Sequence, residues 1–145
     1  MRYKQVKESL IAFVVAFGLT VAFSFLALAG RTILTDSAVT NNVLILVEIG
    51  LFFAAFYFLA NTCKIRVMKS TTLAVLLGVS LGSVTAVLLT FTYPIGLPLY
   101  IIIGSLVASV SQRFLPALTA LLFAELREKK SNHNLKEEND GLNAT

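Results

Sequence analysis

Four long apolar segments separated by short polar breaks set the pattern of this chain, at residues 10–29, 43–60, 73–91 and 99–126. Runs of roughly 18 or more apolar residues are what a helix needs to cross a bilayer core. A soluble domain of this size could bury one such helix, but not four. The pattern predicts an all-α integral membrane bundle of four transmembrane helices. Residues 1–130 form its single domain, and residues 131–145, polar and rich in Asn, are expected to be a disordered tail.

The breaks differ in character. Residues 31–42 form a polar loop holding Arg31 and Asp36. Residues 61–72 carry Lys64, Arg66 and Lys69 and no acid. Residues 92–98 form an uncharged turn in which Pro94, Gly96 and Pro98 break the helix, with Tyr93 and Tyr100 placed as headgroup-level aromatics. The fourth segment is long. At 1.5 Å per residue it would measure about 40 Å, against a hydrocarbon thickness of about 30 Å. It is either one long helix, tilted or kinked near Pro116, or a span ending near Arg113 followed by an interfacial helix.

Composition agrees with this picture. Of the 145 residues, 57% are apolar and 14% charged, against about 25% charged in average soluble domains, and the mean hydropathy is +0.81. The net charge of +4 does not point to nucleic acid, because the basic residues flank the apolar spans. Arg2, Lys4, Lys7, Lys64, Arg66, Lys69, Arg127, Lys129 and Lys130 lie on one predicted side, and the opposite loops hold Arg31 alone. This positive-inside bias predicts both termini in the cytoplasm and a plasma-membrane location. The first segment admits another reading, since a basic start, an apolar stretch and Ala27-Leu28-Ala29 before Gly30 resemble a cleavable signal peptide. Its apolar length, residues 10–26, exceeds the usual 7–15 residues of such a region and favours retention.

Small residues recur every fourth position in the third span, at Ala74, Gly78, Gly82, Ala86 and Thr90. They share one helix face, where small side chains let another backbone approach closely. A companion row runs through the first span as Ala12, Ala16, Thr20 and Ser24. These faces are expected to pack together inside one bundle; the alternative is contact with a second copy or another membrane protein through the third span.

Glu48 interrupts the second span, and a carboxyl there is expensive unless it faces the bundle interior or a water-filled path. The fourth span carries a polar stripe of Ser105, Ser109, Gln112 and Arg113, above a carbonyl of Gln112 that Pro116 leaves without its helical donor. If the second span starts near residue 43 and the fourth near Pro98, Glu48 lies roughly 8–10 Å deep and Arg113 roughly 22 Å. The expectation is therefore that Arg113 snorkels toward the inner headgroups and makes no direct ion pair with Glu48.

The chain lacks P-loop, zinc-hydrolase, CxxC and nucleophile-elbow motifs. Intramembrane enzymes need a nucleophile–base pair or several carboxylates at a metal. One span carboxyl, Cys63 in a break and His133 in the tail do not supply these. No enzymatic activity, metal or cofactor is expected. The leading expectation is an accessory, scaffold or assembly subunit of a membrane complex. The alternatives are a small transporter or channel using Glu48 and a holin-like pore former.

Overall fold

The computed structural model describes residues 2–33, 38–90 and 99–144. It consists of four helices, α1 Arg2–Ile33, α2 Ala38–Cys63, α3 Lys69–Thr90 and α4 Leu99–Asn143. Each is long and apolar enough to cross a membrane, so the chain is a small four-span membrane protein. Each helix covers the described part of one predicted apolar segment and extends beyond it at one end or both. In particular α2 begins five residues before the expected 43, and the polar loop shrinks accordingly. The turn at 92–98, with Tyr93, Pro94, Gly96 and Pro98, lies outside the described residues.

α4 runs without a break through Pro116 and spans 45 residues, or about 67 Å. It is one continuous helix. The expected disorder of the tail also gives way to helix as far as Asn143. Extending an existing helix avoids the costly nucleation step, and pairs one turn apart support the exposed stretch. Lys129 lies 2.9 Å from Glu125, and His133 lies 3.4 Å from Glu137.

Neighbours in sequence are not the closest neighbours in space. Gly78 sits at Phe13 and Ala16, and Gly82 at Phe17 and Thr20, so α1 and α3 pack side by side and parallel. Glu48 meets Arg113 and Tyr57 meets Phe123, which makes α2 and α4 parallel as well. α3 joins the pairs by running antiparallel to α4, with Ser83 at Arg113 and, in the turn just before α3, Val67 at Glu125. The α1–α2 seam is looser and holds an apolar cavity of about 400 Å³ beside Phe23 and Phe52.

The core is built largely from small side chains. Ala12, Ala16, Ala117 and Ala120 are fully buried, around Phe52, Phe56, Leu121, Val75 and Val79. The large aliphatic and aromatic groups face outward instead; Leu46, Phe58 and Leu88 are each 69% exposed. A water-soluble protein could not carry so much contiguous exposed apolar surface. In lipid the inversion is favourable, because close backbone approach and dispersion replace hydrophobic burial as the force between helices.

Glycines away from the seams behave differently from those within them. A Cβ added at Gly18 or Gly104 meets nothing within 4 Å. Gly18→Ala and Gly104→Ala are therefore expected to leave the protein as stable as before, or more stable by up to about 1 kcal/mol. Thermal unfolding in detergent reads this directly, and a clear loss at either position would contradict the described helix faces.

Candidate functional site

The polar side chains of the spans converge between α2, α3 and α4. Arg113 Nε donates to Glu48 Oε1 at 2.5 Å, and Gln112 Nε2 donates to Glu48 Oε2 at 3.0 Å. Arg113 Nη1 donates to Ser83 Oγ at 3.2 Å. Glu48, Arg113 and Ser83 are 6%, 8% and 2% exposed. The two charges cancel, and both carboxylate oxygens are occupied by donors from α4.

This overturns the sequence expectation that Arg113 avoids Glu48. The error lies in where the helices begin. α2 starts at Ala38, which places Glu48 ten residues, about 15 Å, along its axis. α4 starts at Leu99, which places Arg113 about 21 Å along a parallel axis. The remaining difference of about 6 Å is within reach of an extended Arg side chain meeting a Glu. Pairing also removes the need to snorkel, since a span charge is most cheaply held by an opposite charge with its other donors satisfied.

The α4 stripe divides between two surroundings. Ser109 and Arg113, with Ser105 above them, line a crevice of about 290 Å³ between α1, α3 and α4, whose other polar walls are Ser24 and Ser83. Ser105 Oγ is exposed and donates to its own helix, at Ile102 O, 2.9 Å away. Gln112 turns to Glu48 and to an apolar groove between α2 and α4 that also includes Gly50 and Pro116. Glu48 lines neither the crevice nor the groove.

The small-residue face of α3 lies against α1. A Cβ built on Gly78 would fall 2.7 Å from Phe13 O and 2.9 Å from Ala16 Cβ; on Gly82 it would fall 2.8 Å from Thr20 Cβ. Ala86 is buried on the same face and Ala74 half-buried; Thr90 ends the helix. The companion row supplies the other side of the contact. Thr20 Oγ1 donates to Ala16 O and Ser24 Oγ to Thr20 O, both at 2.7 Å, so these hydroxyls are satisfied within α1. The face offered as a possible contact for a second copy is thus filled within the chain.

Two buried polar side chains, Ser83 of the site and Glu8 outside it, escaped the sequence reading. Ser83 sits one position beyond the glycine row, and nothing but its neighbour Gly82 hinted that it faces the interior. Glu8, 8% exposed, continues the Ala12–Ala16–Thr20 face by one turn, a spacing that could have marked it. Among the described residues no three His, Cys, Asp or Glu side chains are grouped to hold a metal ion. Cys63 is a half-buried thiol at the end of α2.

Fold and site together define a four-span membrane protein with a charge-paired, alanine-rich interior. No protein-family model matches the chain, and no curated protein or solved structure resembles it significantly.

Proposed function

We propose that the protein is a non-enzymatic accessory, scaffold or assembly component of a membrane complex. In this reading it sits in the plasma membrane with both termini and the 61–72 turn on the cytoplasmic side. The observation that carries it is the closure of the Glu48 site. A carboxyl that relays protons or ions needs a path to water. Here both oxygens accept hydrogen bonds from Gln112 and Arg113, and Glu48 is on the wall of neither adjoining cavity. Such an arrangement, tying α2, α3 and α4 together, supports a structural role. The basic residues flanking the spans support the orientation.

One observation favours a second reading. Arg113 and the serines around it form a polar crevice, the kind of surface that lines a solute path. Purification from native membrane and proteoliposome flux separate the two readings. The scaffold reading expects a stable co-purifying membrane partner and no proton or ion flux above empty vesicles. Flux that wild type shows and Glu48→Gln loses, with the variant still folded, overturns it as a complete account.

A further inference from the structure

The end of the bundle that carries the α2–α3 turn holds a second polar cavity, unrelated to the Glu48 site. It measures about 340 Å³ and is lined by Lys64, Arg66 and Arg127, with Asn61, Glu125 and Glu128. Glu125 is already engaged, accepting Val67 N–H at 3.3 Å on Oε2 and Lys129 at 2.9 Å on Oε1. Cations therefore outnumber the carboxylates, and a divalent cation or amine is disfavoured there. An anion is favoured.

Lys64 is the informative residue of this cavity. It follows the last residue of α2 with φ +50°, in the left-handed region where helices commonly end on Gly or Asn. A lysine is the more strained choice at that position, yet it brings an ammonium to the cavity wall.

Arg127, on the wall of this cavity, also reaches an aromatic stretch of the α2–α4 seam. Arg127 Nη1 donates to Tyr57 Oη, and the Tyr57 ring lies against Phe123 and Phe53 at centroid distances of 6.1 and 6.2 Å. Beyond Phe53 the α2–α4 groove opens to about 520 Å³, with Gly50, Leu115, Pro116 and Thr119 on its walls. A Cβ added at Gly50 would meet nothing within 4 Å, so no packing within the chain requires glycine there. Its absent side chain keeps the groove open. From Lys64 to Gly50 the seam covers 14 residues of α2, about 21 Å. That is half of the 40–45 Å of a bilayer with its headgroups, or one leaflet.

We propose that this seam is a binding site for an anionic phospholipid, with its phosphate in the Lys64–Arg66–Arg127 cavity and one acyl chain in the groove past Gly50. A basic cavity between helices at the headgroup level suits a phosphate, and the aromatic and apolar walls below it suit a chain. A zwitterionic choline lipid would bring its own cation among those already there. Lys64 and Gly50, each locally the less stable residue for the fold, then have one common purpose at opposite ends of the seam.

The test uses the full chain in detergent. Phosphatidylglycerol and phosphatidylcholine with identical acyl chains are titrated and bound lipid is counted by native mass spectrometry, with the thermal midpoint read for each variant. Wild type is expected to retain phosphatidylglycerol preferentially. Lys64→Gly combined with Arg66→Gln is expected to weaken that binding about thirtyfold, the share of two cations near a charged surface. The midpoint should not fall, because glycine relieves the left-handed residue. Gly50→Leu fills the groove and is expected to displace the lipid while leaving soluble glycerol phosphate binding unchanged. Equal retention of both lipids by wild type overturns the proposal, as does wild-type binding by folded forms of both variants. If glycerol phosphate binds as tightly as the lipid and Gly50→Leu changes nothing, the cavity is an anion site and the lipid assignment is wrong. Should one variant fail to fold, the wild-type lipid comparison and the other variant still decide.

Discussion

Glu48→Gln is expected to lower the stability of the bundle by about 3–5 kcal/mol, the usual consequence of removing one partner from a buried ion pair. The loss arises less from the missing attraction than from Arg113, which stays charged and 8% exposed with a weaker acceptor in front of it. Arg113→Leu should be comparably damaging, because it strands the Glu48 carboxylate and removes the donor to Ser83. The double variant Glu48→Leu/Arg113→Met is expected to recover most of what either single change costs, since well-packed apolar replacements of a buried pair are often neutral or better. Reversible unfolding in mixed micelles gives the full cycle. Additive losses, with the double variant as unstable as the two singles combined, would show that the two groups do not act as a pair. The same set sharpens the functional question, because the double variant removes both charges from a protein that is still folded.

The second large effect is expected at the α1–α3 seam. Gly82→Leu should cost about 3 kcal/mol or more, beyond the ordinary overpacking range, because even its first added carbon falls 2.8 Å from Thr20 Cβ and 3.2 Å from Phe17 O. Gly78→Ala, a far smaller change, should still cost about 1–3 kcal/mol, since its Cβ lies 2.7 Å from a backbone oxygen that cannot swing aside. Cysteines placed at contacting positions on α1 and α3 would report separation of the helices as lost crosslinking within the monomer. A Gly82→Leu protein that keeps those crosslinks and its midpoint would refute the described contact.

The membrane class and all four helices could be read from apolar run length, because a bilayer imposes one requirement, about 20 apolar residues, on every crossing. The Gly78–Gly82 face was equally plain, as small residues at a four-residue spacing have few other uses in a span. The Glu48–Arg113 pair was not. Its existence depends on helix starts at Ala38 and Leu99, and a polar stretch such as 38–42 looks like loop in sequence although it prolongs α2 by more than a turn. Parallel packing of α2 with α4 was also hidden, since apolar faces surrounded by lipid carry little amphipathic signal. The helical tail was missed for a related reason. Composition measures whether a segment can bury a core of its own, and residues 131–143 need none while they extend an existing helix.

The pairing of α1 with α3 and α2 with α4 has a consequence for how the chain is made. Glu48 and Arg113 are separated by 65 residues. At translation speeds of about 5–20 residues per second, α2 is synthesised roughly 3–13 s before its partner. During that interval the carboxyl lacks its Arg113 partner, and the α1–α2 hairpin is left with its looser seam. The newborn second helix must therefore wait at the interface or shelter its carboxyl beside the insertion machinery. Synthesis of this protein passes through a half-made stage in which its most expensive group has been delivered ahead of the group that neutralises it.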